Sequence, residues 1–252
     1  MSFIEEMRAA FTRGETDEVE RMSRAELSRA RENSDPAGEI NALYGLAAVA
    51  MRAHDATRTR QLGEEALAVA LRAGDKSLEE APRHMLAGAA RMAGDVATAR
   101  VLYEESIALN ESLGNEDRAV RERHNLGWME LHSSDIDRAR DLFAAVRRYV
   151  ARNDYQAFIP YAVLDAAAIA VRDGAYPQAA RLLAVVTTAL ADNDQLDPDD
   201  AIEYESLRDR LVTELGRDAF DIAYTSGLEL VPLEALSALP ADRFEADSSR
   251  TN

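Results

Sequence analysis

The sequence returns to the same punctuation every 40 residues: Asp55, Asp95 and Asp135 each close a short turn, as His54-Asp55, Gly94-Asp95 and Ser134-Asp135, and Asp173-Gly174 stands at the fourth. A period of this length restricts a chain to stacked copies of one supersecondary unit, since a single copy cannot bury its own apolar face. The residues around the turns keep register. Thr59, Ala99, Ala139 and Ala179 follow four places later, then Arg60, Arg100, Arg140 and Ala180. Leu46, Leu86, Leu126 and Ala166 align on the segment before the turn, and Gly63, Tyr103, Phe143 and Leu183 on the segment after it. A weaker copy precedes them at Gly14-Glu15, Val19 and Leu27. The spacing predicts units of two antiparallel helices, with small residues where helices approach and large ones between units.

Stops and caps set the element boundaries. Asn33-Ser34, Gly74-Asp75, Gly114-Asn115 and Asn153-Asp154 separate the units, and Asp35-Pro36 reads as an N-cap followed by proline at the first helical position. Helices are predicted at 3–12, 17–32, 36–52, 56–73, 77–92, 96–113, 116–133, 136–152, 156–172 and 176–191. Pro82 and Pro160 fall in first turns and either kink those helices or reset their starts. The array is expected to span 1–192, with capping helices at 193–240 and a disordered polar tail at 241–252. The cap begins at Asp197-Pro198, a second N-cap and first-turn proline, where Asp199 and Asp200 suit the helix dipole. Helices are predicted there at 199–215, 217–226 and 232–238, with Gly216 and Gly227 as stops.

Composition agrees with helices and excludes several functions. Ala, Leu, Arg and Glu dominate, which suits long helices and not sheets. The absence of cysteine removes disulfides and thiolate chemistry. A net charge of −17 repels phosphate backbones, so direct nucleic-acid binding is not expected. The acidic start, Met1 to Phe11, lacks the apolar run of a signal peptide, and no stretch reaches the roughly 20 apolar residues of a membrane span. The expectation is a cytoplasmic protein without membrane contact.

The stretch from Val96 to Ala144 resembles tetratricopeptide repeats: Asn125-Leu126-Gly127, then Ala139 and Phe143, follow that family's small-residue and aromatic spacing. More narrowly, the chain is similar to the C-terminal repeat domain of large ATP-binding transcriptional regulators of the LuxR and MalT type. Residues 179–186 are similar to their last repeat. Leu215-Gly216, Ala219-Phe220, Tyr224, Gly227 and Leu233-Glu234-Ala235 match the tail that closes them. The resemblance implies an all-α, right-handed TPR-like superhelix of about five helix pairs with C-terminal capping helices. It also implies a sensing and interaction surface. ATP switching and direct DNA reading are not implied, because no Gly-x-x-x-x-Gly-Lys-Ser/Thr loop occurs and Lys76, the sole lysine, is not in a glycine-rich segment.

In such an array the first helix of each unit lines the concave surface. The uncommon side chains gather there: Tyr44, then His84 and Arg91, then Arg121, His124, Asn125, Trp128 and His132, then Tyr161, Asp165 and Arg172. Tyr44, His84 and His124 are equivalent in register and are expected to form a ladder. Arg and His donate to oxygen while Trp and Tyr pack against planar groups, so the strip suits a carboxylate-bearing peptide or a planar anionic ligand. Two other readings stay open: Trp128 as inter-helix packing, and the histidines as ordinary, partly exposed residues. The expected role is a non-catalytic scaffold for a protein or peptide partner. Alternatives are a small-molecule sensor and, less favoured, an enzyme using His84 or His124 with Asp165. No nucleophile motif surrounds these histidines. His124 and His132 stand roughly 12 Å apart along one helix, too far to share an ion, so neither metal nor cofactor is expected. Self-association through end surfaces is a further expectation.

Overall fold

The computed structural model describes residues 2–190 and 196–239, and every regular element among them is helical. Residues 191–195, at the expected junction of array and cap, and the expected disordered tail at 241–252 lie outside the described residues. The helices are α1 (Phe3–Thr12), α2 (Thr16–Glu32), α3 (Pro36–Arg52), α4 (Ala56–Ala73), α5 (Glu80–Met92), α6 (Val96–Ser112), α7 (Glu116–His132), α8 (Ile136–Asn153), α9 (Ile159–Arg172), α10 (Tyr176–Ala189), α11 (Pro198–Leu215), α12 (Arg217–Gly227) and α13 (Pro232–Ser237). None is long and apolar enough to cross a membrane.

The helix ends follow from their capping residues. Asp55, Asp95 and Asp135 hold nearly the same backbone conformation (φ −83° to −87°, ψ 72° to 81°), and their carboxylates accept from the amides of Arg58, Thr98 and Arg138. The residue before each is left-handed: His54 at φ 54°, Gly94 at 73° and Ser134 at 68°. The chain closes identically across all three turns, since the amides of Asp55, Asp95 and Asp135 donate to the carbonyls of Ala50, Ala90 and Glu130 at 2.9–3.0 Å. Pro82 and Pro160 reset their helices instead of kinking them. A 3-10 turn at Lys76–Glu79 precedes α5 and another at Gln156–Phe158 precedes α9, which puts each proline where no intrahelical donor is lost.

The packing divides into two compact units, Met1–Glu122 and Arg123–Asn252, and the division falls within α7. In the first, Leu43, Leu46, Ala47, Leu62, Ala66, Val69 and Met85 join α3, α4 and α5 in one apolar cluster. Met7, Ala10 and Val19 close the outer end against Phe3, Phe11 and Tyr44. In the second, α9 is central. All of its residues except Tyr161 and Arg172 are buried, as an all-round apolar helix requires. Helices α8 and α10 flank it, and α11 and α13 also pack on it. The aligned small positions Thr59, Ala99, Ala139 and Ala179 are fully buried, and the large positions Tyr103, Phe143 and Leu183 nearly so.

Candidate functional site

In the first unit the candidate residues meet around His84. Its ring lies 6.3 Å from that of Tyr44, one helix pair earlier. Its Nδ1 is 2.9 Å from Glu122 Oε1, and Glu122 is buried with its Oε2 lacking a hydrogen-bond partner. Burial alone would push the His84 pKa down. The Glu122 carboxylate, with help from Glu80, outweighs that, and the net shift is upward. Glu80 in turn accepts from Arg118 at 2.7 Å. Arg91 is half-buried on α5, and Arg121 is exposed on α7.

In the second unit a denser cluster forms on His124, which is buried at 4% exposure. Its Nε2 is 2.9 Å from Asp200 Oδ1 on α11. Its Nδ1 stands 2.9 Å from Asp165 Oδ1 on α9, an ion-pair distance without the alignment of a hydrogen bond. The Trp128 indole N–H donates to that same Asp165 oxygen at 2.9 Å, while Asp165 Oδ2 has no hydrogen-bond partner. Phe158 and Tyr161 stack on each other at 4.9 Å, and both stand nearly perpendicular to the imidazole at 5.5 and 5.7 Å. Desolvation opposes a charged imidazole here, but the carboxylates of Asp165 and Asp200 prevail and push the His124 pKa up to about 10. Burial raises Asp165 to about 6, against the pull of His124 and Trp128. At neutral pH the centre is therefore an imidazolium clamped between two carboxylates.

This geometry fixes helices and does not converge on a point. The carboxylates sit on opposite edges of the ring, so the three side chains share no common focus. No group of His, Asp and Glu among the described residues is arranged to hold a metal ion. His132 is exposed and stands 3.2 Å from Glu203, a second contact from α7 to α11. Asn125 and Tyr161 are half-buried and Arg172 is exposed, with its guanidinium 3.5 Å from the Leu131 carbonyl.

The sequence-derived strip is thus only partly open. His124, Trp128 and Asp165 are buried, because α11 and α13 pack on α9 where periodicity alone leaves the first-helix face bare. Trp128 is buried at 7% exposure, and its ring meets Phe143 edge-on at 5.7 Å. Four residues that sequence reasoning did not single out complete the clusters: Glu122, Phe158, Asp200 and Glu203. The only sequence signal was the acidic pair Asp199-Asp200, which fits the helix dipole equally well. No known family model matches this sequence, and no curated protein is significantly similar to it.

Proposed function

We propose that the chain is a non-catalytic recognition module of the tetratricopeptide-like kind, acting in the cytoplasm on a protein or peptide partner. The observation that carries this reading is the recurrence of one helix–turn–helix closure at Asp55, Asp95 and Asp135 with matching caps and matching left-handed residues. Such units, read as 40-residue repeats of a right-handed superhelix, present successive first helices side by side. Tyr44, Arg91 and Arg121 in the first unit, and separately Asn125, Tyr161 and Arg172 in the second, combine aromatic surface with guanidinium donors. That combination suits carboxylates on a peptide. The acidic remainder of the molecule supplies selectivity by repelling acidic segments that do not reach those donors.

The test is partner capture on the immobilised full chain, followed by repetition with Tyr44→Ala, Arg91→Ala, Arg121→Ala and Arg172→Ala. At least one first-helix variant is expected to lower capture tenfold or more. Capture that survives all four substitutions would reject the surface.

A second reading, a small-molecule sensor, draws on one feature of the second unit. The rings of Trp128, Phe158 and Tyr161 gather around His124, and Asp165 beside it has a buried oxygen, Oδ2, without a hydrogen-bond partner. A thermal-shift scan against metabolite pools distinguishes it. A ligand of the sensor stabilises the wild type and fails to stabilise Asp165→Asn.

A further inference from the structure

Helix α11 is held unusually for a helix that packs on a core. Of its 18 residues only Asp200 and Leu211 are buried, and Ile202 is 61% exposed. Its first turns attach through carboxylates set against imidazoles: Asp200 to His124 at 2.9 Å and Glu203 to His132 at 3.2 Å. From Tyr204 onward the attachment changes character. The hydroxyls of Tyr204, Tyr224 and Thr187 form a closed ring of contacts at 2.9–3.2 Å that ties α11 to α10 and α12, and Leu211 is fully buried. The helix therefore has a firmly anchored body and an acidic leading end seated on two histidines.

Both histidines stand on α7, one of the first helices that the recognition reading turns towards a partner carrying carboxylates. We propose that the first two turns of α11 are an autoinhibitory occupant of that helix, an internal acidic segment that a partner's acidic segment displaces. This deepens the recognition reading and rests on it. Exchange is feasible because the contact is replaceable one for one. An incoming carboxylate restores the bond to His124 Nε2 that Asp200 gives up, so the imidazolium never remains buried and unpaired. No apolar residue of α11 itself is pulled out of the core when the leading end lifts, since the one buried side chain in those turns is Asp200. The stretch Leu196-Asp-Pro-Asp-Asp-Ala-Ile-Glu203 already has the composition expected of the partner segment, with four carboxylates in eight residues.

The experiment uses the full chain and a synthetic peptide spanning Leu196–Arg210. In the double variant Asp200→Asn/Glu203→Gln, amide exchange at 201–205 is expected to quicken at least tenfold while α9 keeps its protection. The peptide is expected to perturb the emission of Trp128, the sole tryptophan, and to bind the variant at least tenfold more tightly than the wild type. Unchanged exchange at 201–205 overturns the proposal, as does loosening of α9 to the same degree. Equal peptide binding to both proteins, or binding to neither, also overturns it. Should the double variant not fold, Glu203→Gln alone carries the test, with a threefold difference in the same two readouts. The recognition reading fails separately. If no partner is captured by either protein, that reading falls while the peptide result stands. If a captured partner binds wild type and double variant alike, autoinhibition alone falls.

Discussion

His124 Nε2 lies 2.9 Å from Asp200 Oδ1, across 76 residues of sequence, and that contact joins α7 to α11. Both ring edges of the buried imidazole face carboxylates, which favours the cation. The free energy of this arrangement therefore depends on a proton.

The sign follows from linkage. The carboxylates of Asp165 and Asp200 outweigh desolvation and push the His124 pKa from its ordinary 6.5 up to about 10 in the fold. The folded state holds the extra proton between those limits, so the contribution is complete below pH 6.5 and disappears as pH rises through 10. Asp165, raised from 3.8 to about 6, acts in the same direction at lower pH: its contribution is present below 3.8 and lost as pH rises through 6. Urea unfolding of the wild type, compared with His124→Gln at each pH, isolates the histidine from other groups. The difference in stability is expected to shrink from pH 6.5 to 10, with a slope no steeper than about 1.4 kcal/mol per pH unit. A difference that grows with pH would mean that His124 is neutral in the fold.

Trp128→Phe keeps the ring against Phe143 and removes only the indole N–H. Asp165 Oδ1 then loses its aligned donor inside a buried site, and Asp165 Oδ2 already lacks one. Leaving a buried acceptor unmet costs about 1–3 kcal/mol. Equilibrium unfolding followed by circular dichroism, which does not need the tryptophan, is expected to show a loss in that range. An unchanged midpoint would mean that the Trp128–Asp165 bond contributes nothing to the fold.

The turns make the opposite kind of prediction. His54 and Ser134 occupy the left-handed position that Gly94 fills at the equivalent turn, and both are exposed. A β-carbon there is strained by roughly 1–2 kcal/mol, part of which glycine gives back through its looser unfolded chain. His54→Gly and Ser134→Gly are each expected to raise stability by about 0.5–1 kcal/mol. Because the two positions lie in different units, thermal melts of the double variant are expected to show additive gains. Destabilisation by either substitution would mean that the native side chain contributes more than its strain costs.

Helix positions were legible in the sequence because local chemistry sets them. Asp35-Pro36, Asp55, Asp95 and Asp135 are caps in the structure as in the sequence reading. Boundaries moved by more than two residues only before Pro82 and Pro160, where a 3-10 turn replaces the first helical turn. The site was less legible. Periodicity identified His124, Trp128 and Asp165 as one face, but it carries no information on what later covers that face. The pairing of His124 with Asp200 depends on where the chain goes after α10, and no local signal encodes it. The same holds for Glu122, which reads as one more acid on a charged helix until its side chain is seen buried against His84.

Two first-helix glycines offer a graded test of packing. A β-carbon at Gly127 would stand 2.4 Å from Cε1 and 2.7 Å from Cδ1 of Phe143, whose ring is itself wedged against Trp128. Neither ring can withdraw without displacing the His124 cluster, so Gly127→Ala is expected to destabilise by about 1–3 kcal/mol, the usual cost of overpacking. At Gly88 the nearest obstacle is Met51 Cε at 2.9 Å, the free end of a flexible side chain. Met51 can swing aside, and alanine gains up to about 1 kcal/mol of helix propensity over glycine, so Gly88→Ala is expected to be neutral or stabilising. Parallel thermal melts of the two variants decide the matter. If Gly127→Ala matches Gly88→Ala, the α7–α8 approach is looser than the ring contacts require, and the tetratricopeptide-like reading of Asn125-Leu126-Gly127 loses its physical basis.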